Sequence, residues 1–312
     1  MKKIFCLLSE KLPDERKQKM VDFLKDHASS LGLPFQIDLF VNQTIDQYKD
    51  YHYAIAFFPP ANILKQFPSL EFVISLNAGV NDVIQELQSK IPLSRVIYQP
   101  ALDRMKEHIL YCILDYTLLM SRHRKNQELK IWDRSKPYSI ANDNIGIMGL
   151  GRVGQGIAET LIKLGKKVQG FSKTTKSFVN KSFTINNFSE FLSTTNILIN
   201  ALPLNSETEG ILNAQTMSLL PDQSCIINVG RGGHIIEDDL LKILKTDKLN
   251  KVYLDVFGNE PLPEEHPFWS HPKIFLTPHI SGIFDVLDVL KPAIDQIKEF
   301  YENGRVINAP KY

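Results

Sequence analysis

Apolar residues along this chain follow two alternating spacings. Short continuous runs are closed by glycine or proline, and longer stretches repeat an apolar residue every three or four positions. The runs 4–8, 35–41, 53–58 and 70–76 predict buried strands. Between the first two, the charged stretch 13–31 places Met20, Phe23 and Leu24 on one helix face. Pro34 opens the second run, Pro59 and Pro60 close the third, and the fourth leads into Asn77-Ala78-Gly79-Val80. A proline-bounded strand near 95–98, followed by Pro100, ends a first block of βαβ type.

Residues 101–132 form the longest helical candidate, with Leu102, Met105, Ile109, Leu110, Ile113, Leu114, Thr117 and Leu118 covering more than one stripe. A helix apolar on several sides is covered by more than its own domain, at an interdomain or subunit contact, or else is an ordinary core helix. A polar, turn-rich stretch, 132–143, leads into the second block. There Ile145, Ile147 and Met148, bounded by Gly146 and Gly149, predict a strand, and Val153, Ile157, Leu161 and Leu164 share one face of the helix that follows. Further strands are expected at 167–171, 196–202, 224–229, 252–257 and 274–277, with short helices at 187–192, 213–219 and 237–244. A final helix, 285–301, aligns Leu287, Leu290, Ile294, Ile297 and Phe300. The predicted class is α/β. Two Rossmann-like blocks are expected, the second a doubly wound parallel sheet inserted before the final helix.

Composition narrows the partners. The 312 residues are 43% hydrophobic and 23% charged, and 36 basic residues nearly balance 35 acidic ones for a net charge of +1. That balance argues against nucleic acid as a partner. No apolar run approaches the ~18 residues of a membrane span, and the apolar start is too short for a secretory signal. Cys6, Cys112 and Cys225 lie far apart within apolar segments, without metal-ligand spacing. A reducing cytoplasm and no metal are expected.

Between the strand and helix of the second block, Gly149, Gly151 and Gly154 stand in G-x-G-x-x-G spacing. The first glycine permits a tight turn, the second lets backbone approach a pyrophosphate, and the third lets helix pack on strand. The free N–H groups of the helix start then face the anion. The next strand ends at Phe171 and is followed by Ser172-Lys173-Thr174-Thr175-Lys176, with no acid to take a ribose 2′-hydroxyl. Hydroxyl and ammonium donors suit a 2′-phosphate, although a solvated polar loop would read the same way by itself. NADP(H) is the expected cofactor, with NAD(H) possible.

Three clusters fall at the ends of later strands, where ligands lie in such sheets. Asn228-Val229-Gly230-Arg231-Gly232 offers an arginine whose planar fork matches a carboxylate, though alone it would pass for a surface turn residue. Leu254-Asp255-Val256-Phe257 runs into Glu260-Pro261-Leu262-Pro263. Thr277-Pro278-His279-Ile280-Ser281-Gly282 carries a histidine whose approach is fixed by proline. An acid beside it would orient the ring and favour its charged form. His27, His52, His108 and His123 read as surface or core residues without a partner, and His266 and His271 as structural.

Taken in this order, with His234 to Leu240 (HIIEDDL) and Phe268-Trp269-Ser270-His271-Pro272, the motifs resemble the D-isomer-specific 2-hydroxyacid dehydrogenase family. They are most similar to its glyoxylate/hydroxypyruvate reductase A branch. The likeness covers nearly the whole chain and is densest over 146–282. It implies a cofactor domain, 100–282, inserted into a smaller flavodoxin-like substrate domain, 1–99 plus 283–312. It implies that Arg231 binds the carboxylate and carbonyl of the substrate, that His279 donates the proton and that Glu260 pairs with it. The backbone of Ala78, Gly79 and Val80 would also meet the carboxylate. The implied cofactor set is Gly149, Gly151, Arg152, Val153, Gly154, Ser172, Lys173, Thr174, Lys176, Leu202, Pro203, Val229, Gly230, Asp255, near the nicotinamide, and His279. The long helix after Pro100 would help build a homodimer.

Two features depart from the family pattern. Asn77 and Asn81 flank the substrate turn where glycine and aspartate are common, which matters little to a backbone contact, and 97–108 is unlike close relatives, which touches substrate size. The expected activity is NADPH-linked reduction of a small 2-oxoacid, such as glyoxylate or hydroxypyruvate, to glycolate or D-glycerate. The alternatives are a dehydrogenase for a larger 2-hydroxyacid and a dinucleotide-sensing binding protein on the same fold.

Overall fold

The computed structural model describes residues 1–10, 12–40, 45–60, 62–77, 79–87, 90–134 and 144–310. The chain divides into two compact units, Met1–Gln99 with Phe284–Tyr312, and Pro100–Ile283.

The first unit starts with β1 (Lys2–Leu8), α1 (Asp14–Ser30), β2 (Phe35–Leu39) and β3 (Tyr53–Phe57). It continues with β4 (Phe72–Ser75), α2 (Asn81–Leu87) and β5 (Leu93–Arg95). All pairings are parallel, in the order β2-β1-β3-β4-β5. β1 from Ile4 onward, β3, and β4 as far as Ile74 are continuously apolar because both sheet faces are covered there. α1 carries Asp14 and Glu15 in its first turn and His27 in its last, matching the helix dipole. Its buried stripe is Met20, Val21, Leu24 and Ala28, and Phe23, expected on that face, is 40% exposed. The strand expected near 95–98 lies earlier, at β5, because Gln99 already begins the next helix.

The second unit starts with α3 (Gln99–Leu118), α4 (Met120–Glu128), β6 (Ile145–Met148), α5 (Arg152–Lys163) and β7 (Val168–Phe171). Then come β8 (Lys181–Phe183), α6 (Phe188–Ser193), β9 (Ile197–Asn200), α7 (Ala214–Ser218) and β10 (Ser224–Asn228). α8 (Glu237–Ile243), β11 (Leu249–Leu254) and β12 (Ile274–Leu276) complete it. Its seven strands are parallel in the order β12-β11-β10-β9-β6-β7-β8. Ile145 and Ile147 join one core and Met148 the other, as the period of two requires. On α5, Gly154, Ile157, Ala158 and Leu161 are buried, whereas Leu164, expected on that face, ends the helix 56% exposed. β8 was not expected; three residues with one buried side chain leave no readable period.

The single long helix expected over 101–132 is two. Leu119 adopts a left-handed backbone, φ 58°, between α3 and α4. Asp115 stabilises the break by accepting from Ser121 N at 2.6 Å and Ser121 Oγ at 2.8 Å, and from buried Tyr253 Oη at 2.6 Å. Residues 135–143 of the expected turn-rich stretch lie outside the described residues.

The final segment is a 3₁₀ turn, Val286–Val289, followed by α9 (Leu290–Asn303). Val286, Val289, Leu290, Ala293, Ile294 and Ile297 enter the same core as Ile4, Cys6, Met20, Leu24 and Ile55. The first unit therefore owes one face of its core to the end of the chain.

Candidate active site

β6 lies between β9 and β7, and the sheet order reverses around it. That reversal opens a crevice at the carboxyl ends of the strands, and the glycine turn sits there. Gly149 has φ +91°, and a Cβ on it would fall 2.6 Å from the Ala201 carbonyl oxygen. A Cβ on Gly154 would fall 1.9 Å from the Gly149 carbonyl oxygen, so only glycine lets α5 start this close to its own turn. Gly151 is the N-cap of α5, without a side-chain cap, and a Cβ there would meet nothing within 4 Å. First-turn N–H groups without a capping side chain, at the positive end of the helix dipole, suit a pyrophosphate. Arg152 is exposed and Val153 half-buried at that helix start. The residues present fit a dinucleotide.

The loop after β7 is open. Lys173 and Thr174 are exposed, Ser172 Oγ donates to the Thr174 carbonyl at 2.7 Å, and Lys176 N donates to Ser182 Oγ at 2.9 Å. Lys173 pairs with Glu207 at 2.7 Å, both side chains well exposed. Lys173 follows β7 and Glu207 follows β9, so the pair links the loops on either side of β6.

Further along the same sheet edge, the loop after β11 and the turn after β12 bring an acid and a histidine together. Glu260 Oε2 lies 2.8 Å from His279 Nδ1, and Glu260 Oε1 accepts from Phe257 N at 3.0 Å. Both side chains keep access to solvent, His279 at 42% and Glu260 at 36%. With Nδ1 engaged, Nε2 is the nitrogen from which the ring can deliver a proton. His279 has a left-handed backbone, φ 54°, and its turn is pinned by Asp255, a buried acid just past β11. Asp255 Oδ1 accepts from Thr277 Oγ1 at 2.7 Å and Ile280 N at 2.8 Å, and Oδ2 accepts from Ser281 N at 2.9 Å.

Arg231 follows β10 with an exposed side chain, its Nη1 donating to the Gly230 carbonyl at 2.7 Å. Its backbone is held on both sides: N–H donates to His234 Nδ1 at 3.1 Å and the carbonyl accepts from Asn228 Nδ2 at 3.1 Å. The second unit thus presents, along one sheet edge, an anion cradle, an arginine fork and an acid–histidine pair.

Comparison with known proteins places the chain in a family. Residues 110–281 match the D-isomer specific 2-hydroxyacid dehydrogenase NAD binding domain. A glyoxylate/hydroxypyruvate reductase A of Photorhabdus laumondii is 35% identical over 263 residues, 81% of this chain and 84% of that protein. The chain belongs to the D-isomer specific 2-hydroxyacid dehydrogenase family. A family member of known structure from Klebsiella pneumoniae superposes with a TM-score of 0.86 at 29% identity, over 99% of this chain and 97% of that one. An NADPH-dependent glyoxylate/hydroxypyruvate reductase from Sinorhizobium meliloti, solved with NADP and sulfate, gives 0.84 at 26% identity, over 100% of this chain and 98% of that one.

For this family member the remaining expected site residues are placed as follows. Leu202 is nearly buried and Pro203 exposed in the loop after β9, where the Pro203 carbonyl accepts from Thr208 Oγ1 at 2.7 Å. Val229 and Gly230 are buried, and Gly230 N donates to Asn228 Oδ1 at 3.1 Å. In the first unit Gly79 is exposed and Val80 buried after β4, while Ala78 and the side chain of Asn81 lie outside the described residues. Asp255, expected near the nicotinamide, directs its hydrogen bonds to the 277–281 turn. Two histidines expected to lack partners have them. His27 Nε2 is 3.3 Å from Asp295 Oδ1, and His52 Nδ1 accepts from Lys3 N at 3.3 Å. His266 pairs with Glu237 at 3.2 Å, and His271 Nδ1 accepts from Lys273 N at 3.2 Å, both structural as expected.

Sequence reasoning missed His234. It is fully buried, and burial holds its imidazole below the usual histidine range, although the Pro203 and Arg231 carbonyls pull the other way. The one available signal was its place three residues after Arg231, within reach of that backbone.

Proposed function

We propose that the protein reduces small 2-oxoacids, glyoxylate and hydroxypyruvate first among them, to the corresponding 2-hydroxyacids with NADPH as preferred donor. The observation that carries this reading is the Glu260–His279 pair at 2.8 Å on the sheet that also bears Arg231 and the glycine turn. Gly149, Gly151 and Gly154, with Arg152 and Val153, would hold the pyrophosphate at the start of α5. Ser172, Lys173, Thr174 and Lys176 would take the 2′-phosphate, and Leu202, Pro203, Val229 and Gly230 would line the rest. A bound reduced nicotinamide supplies the hydride.

The chain's own side chains handle the other charges. The Arg231 fork binds the substrate carboxylate and draws electron density towards the carbonyl oxygen. As negative charge develops on that oxygen, His279 delivers a proton from Nε2, and Glu260 keeps the ring turned for the transfer. In the first unit, the backbone N–H groups around Ala78, Gly79 and Val80 are assigned to the carboxylate on the strength of the family pattern.

The first unit is assigned the substrate and the second the cofactor. A homodimer is supported by α3, where Tyr111, Leu114 and Leu118 share one face and are 45–49% exposed, followed by exposed Met120 and Trp132. A cytoplasmic setting is supported by three buried free cysteines. Among the described residues no helix is long and apolar enough to cross a membrane.

The test is oxidation of NADPH and of NADH, followed at the reduced-nicotinamide absorbance band, with glyoxylate, hydroxypyruvate and pyruvate in turn. Turnover with a two- or three-carbon 2-oxoacid, faster with NADPH, is expected. Tight NADPH binding with no turnover of any 2-oxoacid would replace the enzyme by a dinucleotide sensor.

A further inference from the structure

Arg231 carries an exposed side chain on a backbone bonded on both sides, its N–H to His234 and its carbonyl to Asn228, so what holds that backbone also sets where the guanidinium starts from. We infer that His234 is a positioning residue for Arg231: its neutral ring, accepting at Nδ1, latches the arginine's backbone in the geometry that receives a carboxylate. This rests on the reading of Arg231 as the carboxylate clamp.

The hydrogen-bond network assigns the ring. Arg231 N–H points at His234 Nδ1 from 3.1 Å, and Asn200 Nδ2 approaches the same atom to 2.9 Å. The Asn200 amide is itself fixed, because Nδ2 also donates to Asn228 Oδ1 at 2.9 Å and Oδ1 accepts from Leu202 N at 3.2 Å. The Arg231 carbonyl lies 3.0 Å from Nδ1, but its two lone pairs already serve Asn228 Nδ2 at 3.1 Å and His234 N at 3.3 Å. Two donors against one filled acceptor make Nδ1 an acceptor and leave the ring proton on Nε2, which is buried without a hydrogen-bond partner among the described residues. Protonating the ring would set an N–H against both donors, so the latch holds only while the ring is neutral. Full burial favours the neutral form.

Packing leaves no room for a side chain at either neighbour of Arg231. A Cβ on Gly230 would fall 3.0 Å from Asn200 Nδ2 and 3.1 Å from His234 Cε1, and one on Gly232 would fall 1.8 Å from the Phe257 carbonyl carbon. The imidazole fills the space behind Gly230 and also accepts from the next residue, so one ring both packs against and bonds the backbone that carries the guanidinium. A displacement of about 1 Å in a positioning group is enough to cost on the order of 10²-fold in rate.

The test compares His234→Leu, which removes the acceptor, with His234→Asn, whose Oδ1 branches from Cγ where Nδ1 does. Both are measured for glyoxylate KM and kcat, for NADPH Kd by fluorescence, and for Tm. His234→Leu is expected to raise KM roughly tenfold and lower kcat, with NADPH Kd changed less than about twofold, and His234→Asn to recover most of the loss. Wild-type KM in a folded His234→Leu protein overturns the inference, as does His234→Asn being as impaired as His234→Leu at matched Tm. If His234→Leu does not fold, recovery by His234→Asn against a folded but impaired His234→Gln, whose amide is one bond too far out, decides the same point. Wild-type protein that reduces no 2-oxoacid overturns the clamp and the latch together, which separates that failure from the others.

Discussion

Glu260 holds His279 by one carboxylate oxygen, 2.8 Å from Nδ1, while its other oxygen is tied to the Phe257 N–H at 3.0 Å. The acid is thus fixed to the β11 side and orients a ring on the β12 side. His279→Gln is expected to lower kcat by about 10²–10⁴-fold, the usual yield of a positioned acid, with NADPH affinity kept. Unchanged turnover would exclude His279 as the proton donor. Glu260→Gln should cost less, since it leaves the acid in place and removes only its orientation.

In the proposed reaction Arg231 would act on the substrate both before and during hydride arrival. Arg231→Ala should raise KM and lower kcat together, and Arg231→Lys should restore charge without the bidentate fork and recover only part of the loss. Steady-state kinetics with glyoxylate decide it, and a variant with wild-type values would remove the clamp.

Asp255 is buried, and its carboxylate accepts hydrogen bonds from Thr277, Ile280 and Ser281. In Asp255→Asn, an amide N–H₂ must face at least one backbone N–H. Urea unfolding should show a loss of about 1–3 kcal/mol, the cost of an unsatisfied buried polar group. Turnover should fall with it because the His279 turn loosens. Wild-type stability in this variant would mean that the turn holds itself.

Lys173 sits exposed against Glu207, a pair that itself contributes little. Lys173→Ala is therefore expected to leave Tm unchanged and to weaken NADPH binding roughly tenfold with little effect on NADH. The NADPH affinity of wild-type protein should also fall with added salt more steeply than that of the variant. Equal losses for both nicotinamides would place the 2′-phosphate elsewhere.

His108, His234 and His271 are all held below the ordinary histidine value of 6.5, each mainly by burial. Between those lowered values and 6.5 the unfolded chain binds more protons than the folded one. Stability from these groups is complete above that window and is lost as pH falls through it. Thermal melts should therefore show Tm dropping below about pH 6.5, with a shallower drop in His234→Asn. A Tm that rises on acidification would contradict the sign.

What the sequence made legible follows from local physics. Gly149 and Gly154 are tied to strand and helix by spacing alone, and the runs at 145–148 and 197–199 are apolar because both sheet faces are covered. Arg231, Glu260 and His279 were visible as polar residues stranded at strand ends. The break at Leu119 was not, because it depends on Asp115 meeting Tyr253, 138 residues away, and Ser121. The role of Asp255 and the burial of His234 likewise arise only when distant segments converge. Propensity carries no record of such meetings.

The place of α9 bears on how the protein is made. Residues near 4–75 leave the ribosome first, yet their core lacks Val289, Leu290, Ala293, Ile294 and Ile297 until the last turns have been synthesised. The intervening 100–283 segment is contiguous and can collapse during translation, as domains generally do. The nascent first unit must wait with apolar surface uncovered, a natural client for a holding chaperone. Truncation before Leu290 should send the chain to aggregates even though every residue of the glycine turn and the acid–histidine pair is present.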